Sequence, residues 1–370
     1  MMFKILKIGS AFIGIIVGAG MASGQEVLQY FTSFGHLGTL AAIVSTILFA
    51  YVGMTLVKLG SRMRTTSHKD AIYKISGRYL GVIVDYVIIF TLFGVGVVMV
   101  AGAGSTLHQQ FGLEPFIGSL LMTVLVIGTV MLNVKKVIAI IGSITPFLVL
   151  AIIVIGVYSL FTMDLSFAEM EPIAKQQEST LPHWFISAVN YVSFNTAVGA
   201  AMALVMGGTE KNERTATLGG FVGGLGLGVL IILSHLAIFS KVDVAASFDM
   251  PMLKIIDDIS PILAIVMSLI LFGMIFNTAV SMFYAFVARF LEMNTKKANL
   301  AIIITGIVGF AASFVGFTDL VAWFYPTIGY FGLFLIGALV YAPFKLAKDE
   351  KRKKNGENGE IDVYKKAANE

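Results

Sequence analysis

The sequence contains no cysteine and little charge, and both deficits exclude whole classes of protein. Without cysteine, disulfides and thiolate metal sites are excluded. Charged residues make up 13% of the 370 residues, about half of the roughly 25% typical of soluble globular domains. Hydrophobic residues make up 57%, so much of the surface must face something other than water. The composition predicts an integral membrane protein whose surroundings are the lipid bilayer.

Strong net charge and catalytic motifs are also lacking. The net charge is +4 and the basic residues are spread along the chain, so a nucleic-acid partner is not indicated. No G-x-x-x-x-G-K-[ST] segment is present, which excludes direct ATP drive within this chain. The five histidines have no metal-ligand spacing. Carboxylates are not paired at a shared depth and no nucleophile has a nearby base, so an enzyme is the weakest hypothesis.

Long apolar stretches dominate instead. A helix that crosses the bilayer needs about 20 apolar residues, and strand-like alternation is not sustained over enough segments for a barrel. The sequence therefore predicts an all-α membrane protein with ten transmembrane helices, numbered here as spans 1 to 10. They are residues 8–31, 36–59, 77–106, 115–133, 137–161, 184–207, 217–240, 261–290, 298–316 and 320–344.

The basic residues predict how the chain is oriented. With the N-terminus inside, the cytoplasmic segments collect all but three of the 26 Lys and Arg residues, the exceptions being Lys175, Lys241 and Lys254. This is the distribution that the positive-inside rule describes. We therefore predict a multi-pass protein of the cell membrane with both termini cytoplasmic. Residues 345–370 are polar throughout and are interpreted as a disordered cytoplasmic tail.

Residues 16–26 read IVGAGMASGQE and interrupt the first span. A dinucleotide-binding turn would need a third glycine where Ser23 stands and an acid within 38–57, which has none. A signal peptide would explain Lys4 and Lys7, yet the apolar stretch resumes after the cleavage point. The third interpretation is a discontinuous helix, because each glycine lowers helix propensity by about 1 kcal/mol relative to alanine. Exposed backbone at membrane depth persists only where it lines a cavity or binds a ligand.

Span 6 carries a second polar interruption around Asn190, Ser193 and Asn195. Such side chains are costly at mid-membrane without partners, although hydrogen bonds between helices would also explain them. Spans 3 and 8 are both unusually long, and five spans separate the members of each pair. The pattern predicts an inverted 5+5 repeat with broken helices 1 and 6. Its parts are a first repeat at 1–161, an extracellular loop at 162–183 and a second repeat at 184–344.

These segments resemble a known group of proteins. The kink IVGAGMASG resembles the first-helix signature of the amino acid–polyamine–organocation superfamily, whose members adopt the LeuT fold. The longer VGAGMASGQEV, together with YVSFNTAVGA in span 6, resembles YkvI-type bacterial membrane proteins. The resemblance covers residues 8–344. It implies alternating-access secondary transport, with the substrate held between spans 1, 3, 6 and 8.

A sodium site is expected beside the kink. Asn277, Thr278 and Ser281 share one side of span 8 near its midpoint. LeuT-fold sodium transporters resemble this arrangement and pair span-8 hydroxyls with span-1 carbonyls, which here would be those of Ala19 and Ala22. The adjacent pair is Asn–Thr rather than two hydroxyls, and back-bonding of the hydroxyls to their own helix is the alternative. No cofactor other than this coupling ion is expected.

Two acids inside the spans are candidates for a coupling or gating role. Glu26 lies in the outer half of span 1 and Asp85 about two turns into span 3. An intramembrane carboxylate is a functional candidate, so proton coupling competes with sodium. For Asp85 a salt bridge to Lys7 or Arg78 is the alternative, and for Glu26 the alternative is a place in a wet outer vestibule.

The predicted substrate is an amino acid or a related small zwitterion or carboxylate. A carboxylate would meet the start of the outer half-helix, and the polar side chains of span 6 would orient an amine or side chain. The function predicted is a secondary transporter, with a non-transporting ligand sensor on the same scaffold as the alternative; the sequence does not indicate the oligomeric state. The predicted substrate-binding residues are Gly18, Gly20, Ser23, Gly24, Gln25, Asn190, Ser193, Asn195 and Thr196.

Overall fold

The structure, a computed structural model, describes residues 1–64, 68–132, 145–163 and 165–341. Helices connected by short loops and turns account for nearly all of these residues. In chain order the helices are α1 (Met2–Ile16), α2 (Ala19–Ser23), α3 (Gln25–Tyr30), α4 (His36–Met63), α5 (His68–Phe111), α6 (Pro115–Leu132), α7 (Thr145–Phe161), α8 (Phe167–Ala174), α9 (Trp184–Thr209), α10 (Glu213–Phe239), α11 (Val242–Ala245), α12 (Pro251–Ile259), α13 (Pro261–Ala288), α14 (Lys296–Ala312) and α15 (Phe317–Tyr341).

Seven of the described helices are long and apolar enough to cross a membrane, namely α4, α5, α9, α10, α13, α14 with its short 3-10 extension, and α15. They coincide with spans 2, 3 and 6 to 10, and the shorter apolar helices α6 and α7 coincide with spans 4 and 5. The count of ten and the inverted repeat stay predictions. Residues 137–144 of span 5 and the tail at 345–370 lie outside the described residues.

The first span is interrupted at its glycines. α1 ends at Ile16, and Val17 and Gly18 are extended before α2 begins. Gly24 then takes the left-handed conformation, with φ 87°, and separates α2 from α3. A residue with a Cβ rarely adopts this backbone, so the glycine sets the second interruption. Three short helices therefore replace one continuous span.

The predicted break in span 6 is wrong, because α9 runs unbroken from Trp184 to Thr209. Two of the polar side chains near its middle bond within the helix. Asn195 Nδ2 donates to the Tyr191 carbonyl at 3.0 Å, and Thr196 Oγ1 donates to the Val192 carbonyl at 2.6 Å. Side chains that bond back to the preceding turn keep the helical ladder intact, so polarity alone did not break this helix.

Glycines bring α10 close to α4. A Cβ at Gly220 would come within 2.2 Å of the Gly53 carbonyl oxygen, and one at Gly224 within 2.2 Å of the Phe49 carbonyl oxygen. The two backbones are therefore nearly in contact, as small residues permit between membrane helices. The helix pair, together with α9 and α1, forms a solid wall behind the broken span.

Candidate functional site

A cavity of about 210 Å³, called the central cavity below, lies beside the interruption of the first span. Its walls come from the end of α1, from α2 and α3, and from the middles of α5, α9, α13 and α15. The cavity thus lies between spans 1, 3, 6 and 8, with span 10 as a further wall. Seven of the predicted site residues line it: Gly18, Gly20, Glu26, Asn195, Asn277, Thr278 and Ser281.

Glu26 is held against the broken helix. Its side chain is 4% exposed, and the Tyr191 hydroxyl donates a hydrogen bond to Oε2 at 3.1 Å. A Cβ built on Gly20 would lie 1.9 Å from Glu26 Oε1, so the carboxylate occupies the space that a side chain at position 20 would need. The glycine and the acid form one structural unit, although they are six positions apart in the sequence.

Two aromatic rings form the wall nearest to this carboxylate. Phe194 on α9 and Tyr325 on α15 are both buried and line the cavity. Their ring centroids are 4.2 Å apart with planes 20° apart, which is a stacked pair. Methionines from α5 and α13, among them Met99 and Met274, make most of the remaining surface apolar.

The candidate ion ligands on α13 face the same cavity. Asn277 Oδ1 is buried and has no hydrogen-bond partner among the described residues. Thr278 Oγ1 donates to the Met274 carbonyl at 3.0 Å, as the back-bonding alternative expects. α2, which carries Ala19 and Ala22, packs against α13. The two elements that carry the candidate ligands are therefore neighbours, and the sodium assignment stays a prediction.

Ser23, Gly24 and Gln25 lie outside the cavity, which corrects the predicted carboxylate site. The Ser23 hydroxyl donates to the Gly20 carbonyl at 2.8 Å and accepts from the Gln25 amide at 3.2 Å. The Gln25 amide, which would have received a substrate carboxylate, is therefore already bonded. A Cβ at Gly24 would lie 2.8 Å from the Met252 side chain, so α12 covers this turn.

Three of the four predicted residues on α9 are absent from the lining of the cavity. Asn190 Nδ2 donates to the Pro326 carbonyl at 3.0 Å, and its Oδ1 accepts from the Tyr30 hydroxyl at 3.3 Å. Ser193 donates to the Gly329 carbonyl at 2.6 Å. These bonds fasten α9 to α15, and Thr196 bonds to its own helix. Asn190, Ser193 and Thr196 thus follow the helix-packing alternative in this structure.

Asp85 also lies outside the cavity. It pairs with Arg289, at the end of α13, rather than with Lys7. The side chain of Arg78 lies outside the described part of the chain. The true partner is 204 residues away in sequence, and no spacing rule within span 3 points to it. The pair fastens α5 to the end of α13.

A carboxylate in the loop between α11 and α12 joins three elements and was missed in the sequence. Asp249 accepts hydrogen bonds from Ser105 on α5 and from Thr318 on α15, both at 2.7 Å. The Gln109 side chain exchanges two bonds, each of 3.0 Å, with the Met250 backbone. We call this group of five residues the loop clasp. It holds α12 over the interruption of the first span and closes that side.

The opposite side carries the start of α1 and is called the N-terminal face. Lys4 and Glu210 lie on it as an ion pair of 3.6 Å. A hydrogen bond from the Asn212 backbone, and then Lys4, hold the pKa of Glu210 below its usual value. A groove of about 510 Å³ along α1 and α7 shares Gly14, Ile15 and Asn277 with the central cavity. The groove therefore adjoins the cavity on the side of the N-terminal face.

Comparison with known proteins gives the fold its context. No family model matches the chain. Two proteins of Bacillus subtilis (strain 168) are similar along nearly its whole length. The uncharacterized membrane protein YkvI is 27% identical over 340 residues, covering 90% of this chain and 94% of the relative. The uncharacterized protein YyaD is 25% identical over 331 residues, with the same coverage.

Solved structures share the arrangement of helices. The crystal structure of MhsT in complex with L-phenylalanine superposes with a TM-score of 0.61 and 18% identity, covering 89% of this chain and 87% of that one. A mutant manganese transporter of Eremococcus coleocola gives a TM-score of 0.57 and 12% identity, covering 92% and 78%. The fold is LeuT-like. Of the two solved structures, the Eremococcus coleocola protein is a manganese transporter.

Proposed function

We propose that the protein is a secondary active transporter of a small organic solute, coupled to sodium and working by alternating access. The observation that carries the proposal is the cavity at the interrupted first span, where seven independently predicted residues meet. Irregular backbone at membrane depth is tolerated where it lines such a site. The manganese transporter among the neighbours suggests a metal instead. Among the described residues, however, no three His, Cys, Asp or Glu side chains converge.

The cavity is covered on one face of the molecule and adjoins a groove on the opposite face. This difference between the two faces supports alternating access. The loop clasp and α12 cover the cavity on one face, while the groove along α1 adjoins it on the side of the N-terminal face. With both termini cytoplasmic, as the basic residues predict, this state is inward-facing. A transporter needs a second state in which the clasp opens and the groove closes.

The substrate proposed first is an amino acid or a related small solute. A cavity of about 210 Å³ with one carboxylate, amide oxygens and an apolar wall suits a molecule of that size. The structure of MhsT, which shares the fold, contains L-phenylalanine. Sodium is proposed as the coupling ion because Asn277 Oδ1 lacks a described partner beside the hydroxyls of Thr278 and Ser281.

Uptake into proteoliposomes tests the proposal. The purified protein is reconstituted, and uptake of radiolabelled amino acids and small amines is followed under an inward sodium gradient, with a potassium gradient as reference. Concentrative uptake that requires sodium supports the proposal. Ligand binding without uptake in either salt contradicts it and favours a sensor.

Substitutions at two separate glycines give the matched variants for this test. Gly20→Leu places a side chain where the Glu26 carboxylate lies, and should abolish uptake while the protein still inserts and elutes as a single species. Gly337→Leu is the control, because a Cβ at Gly337 meets nothing within 4 Å, and it should transport normally. Equal uptake by both variants would remove the cavity from the mechanism.

A further inference from the structure

Glu26 is the one carboxylate in the central cavity, and no Lys, Arg or His stands among the described residues that line it. No described basic side chain forms an ion pair with Glu26, whose one side-chain hydrogen bond comes from Tyr191. Most buried carboxylates are paired, because an isolated charge away from water is costly. The cavity therefore contains an acid whose counter-charge the described part of the protein does not supply.

The position of the carboxylate is built into the fold. Gly20 leaves the space for it, and any Cβ there would come within 1.9 Å of Oε1. The Tyr191 hydroxyl donates to Oε2, and the ring of Tyr191 contacts those of Phe31 and Tyr30 at centroid distances of 4.9 and 5.1 Å. An acid needed only for solubility would not be buried beside an internal cavity with a hydrogen-bond donor on one of its oxygens.

The surroundings of Glu26 fit one kind of ligand. The stacked rings of Phe194 and Tyr325 stand in the same cavity, and aromatic faces attract organic cations. Val95, Met99 and Met274 add apolar surface for the body of a ligand. A carboxylate on the ligand would find no basic side chain in the lining, and the Gln25 amide is already bonded to Ser23.

We propose that the cavity binds a small organic ammonium ion, with its ammonium group on the Glu26 carboxylate and its apolar body against Phe194 and Tyr325. This proposal rests on the proposed transport function, and within its class of small organic solutes it replaces the amino acid by an amine. The transported solute carries a net positive charge, and it is an amine rather than a zwitterion or a carboxylate.

Probes that differ in charge and share a shape test this assignment. Thermal unfolding and isothermal titration of the full chain in detergent at pH 7 would use phenethylamine, its neutral isostere 2-phenylethanol, the anion 3-phenylpropionate, and L-phenylalanine. The aliphatic n-butylamine tests the contribution of the aromatic body. Each compound is measured in sodium and in potassium. We expect phenethylamine to bind at least tenfold more tightly than any uncharged, anionic or zwitterionic analogue.

Matched variants locate the ammonium site. Glu26→Gln removes the charge and should weaken phenethylamine binding at least tenfold, while Glu213→Gln makes the same change on the N-terminal face and should leave binding unchanged. If Glu26→Gln does not fold, Phe194→Leu serves instead. It keeps an apolar wall but removes a ring, and it should weaken binding of phenethylamine more than that of n-butylamine.

Each other outcome overturns the assignment. Preferential binding of L-phenylalanine, equal binding of 2-phenylethanol, or no binding by either amine would each reject an ammonium site. Amine binding that is unaffected by Glu26→Gln would do the same. If the Glu26→Gln variant still takes up a zwitterion under a sodium gradient, the transport function is supported and the ammonium site is rejected. Tight amine binding without uptake keeps the site and rejects transport.

Discussion

Gly20 and Glu26 show how a residue without a side chain makes room for a functional group at a candidate binding site. Glycine at position 20 costs helix stability, because it lowers helix propensity by about 1 kcal/mol relative to alanine. In return it leaves room for a carboxylate directly against the backbone of α2. The two residues are therefore expected to tolerate substitution poorly for the same reason, since a larger residue at one position displaces the other.

Removal of the α13 hydroxyls should remove any effect of sodium. Thr278→Val with Ser281→Ala takes two oxygens from the cavity wall and leaves its size almost unchanged. Coupling free energies between ligands are about 1–3 kcal/mol, or about 5- to 150-fold in affinity. We expect the ratio of the Kd values of a bound solute in potassium and in sodium to fall from this range to about one.

The control for that measurement is a hydroxyl elsewhere in the same fold. Thr327→Val removes a hydroxyl that bonds to the Trp323 carbonyl at 2.7 Å on an exposed side of α15. It should preserve the sodium effect. A double variant on α13 that still responds to sodium like the unmodified protein would show that the ion, if any, binds elsewhere.

At the scale of elements, the loop clasp decides whether α12 stays over the interrupted span. Asp249→Ala removes the acceptor of two hydrogen bonds, and bonds to charged groups contribute about 1.5–3 kcal/mol each. We expect the backbone amides of residues 250–259 to exchange hydrogen at least tenfold faster, since about 1.4 kcal/mol corresponds to a factor of ten.

Asp243→Ala is the matched substitution, because Asp243 lies in the same connection between α10 and α12, within α11, and is exposed. Its exchange rates should equal those of the unmodified protein. Unchanged exchange in Asp249→Ala would mean that the buried face of α12, including Met252 and Leu253, holds the helix in place without the clasp.

The sequence predicted the elements better than their interruptions. Length and apolarity were enough to place α4 to α7, α9, α10 and α13 to α15, and clustered glycines correctly indicated the break in the first span. The polar residues of α9 led to the wrong prediction of a break, because Asn195 and Thr196 bond within their own helix. Whether a mid-membrane polar group breaks a helix, joins two helices or faces a cavity depends on its neighbours in space.

Side-chain partners that are far apart in the sequence could not be predicted either, because their contact also depends on which helices are neighbours in space. Arg289 and Asp85, or Asp249 and Ser105, meet only because separate helices pack side by side. The predicted site was therefore too broad. It included seven of the residues that line the cavity, but it also included Asn190 and Ser193, which fasten α9 to α15.

At the scale of the whole molecule, the lack of native cysteine makes alternating access directly measurable. Ala11→Cys places a thiol in the groove on the N-terminal face, where Ala11 is exposed. Leu253→Cys places one under the loop clasp, where Leu253 is 1% exposed. In the structure described here, a water-soluble maleimide should label the first position rapidly and the second hardly at all.

A transported solute and its coupling ion should change the two labelling rates in opposite directions. Because a ligand shifts an equilibrium by its differential affinity for the two states, conditions that favour the opposite state must protect position 11 as they expose position 253. Parallel changes at both positions would indicate local loosening rather than alternation. Opposite changes in the two labelling rates can be observed without knowing the direction of transport or the number of ions per solute. They therefore distinguish a transporter from a scaffold that only binds its ligand.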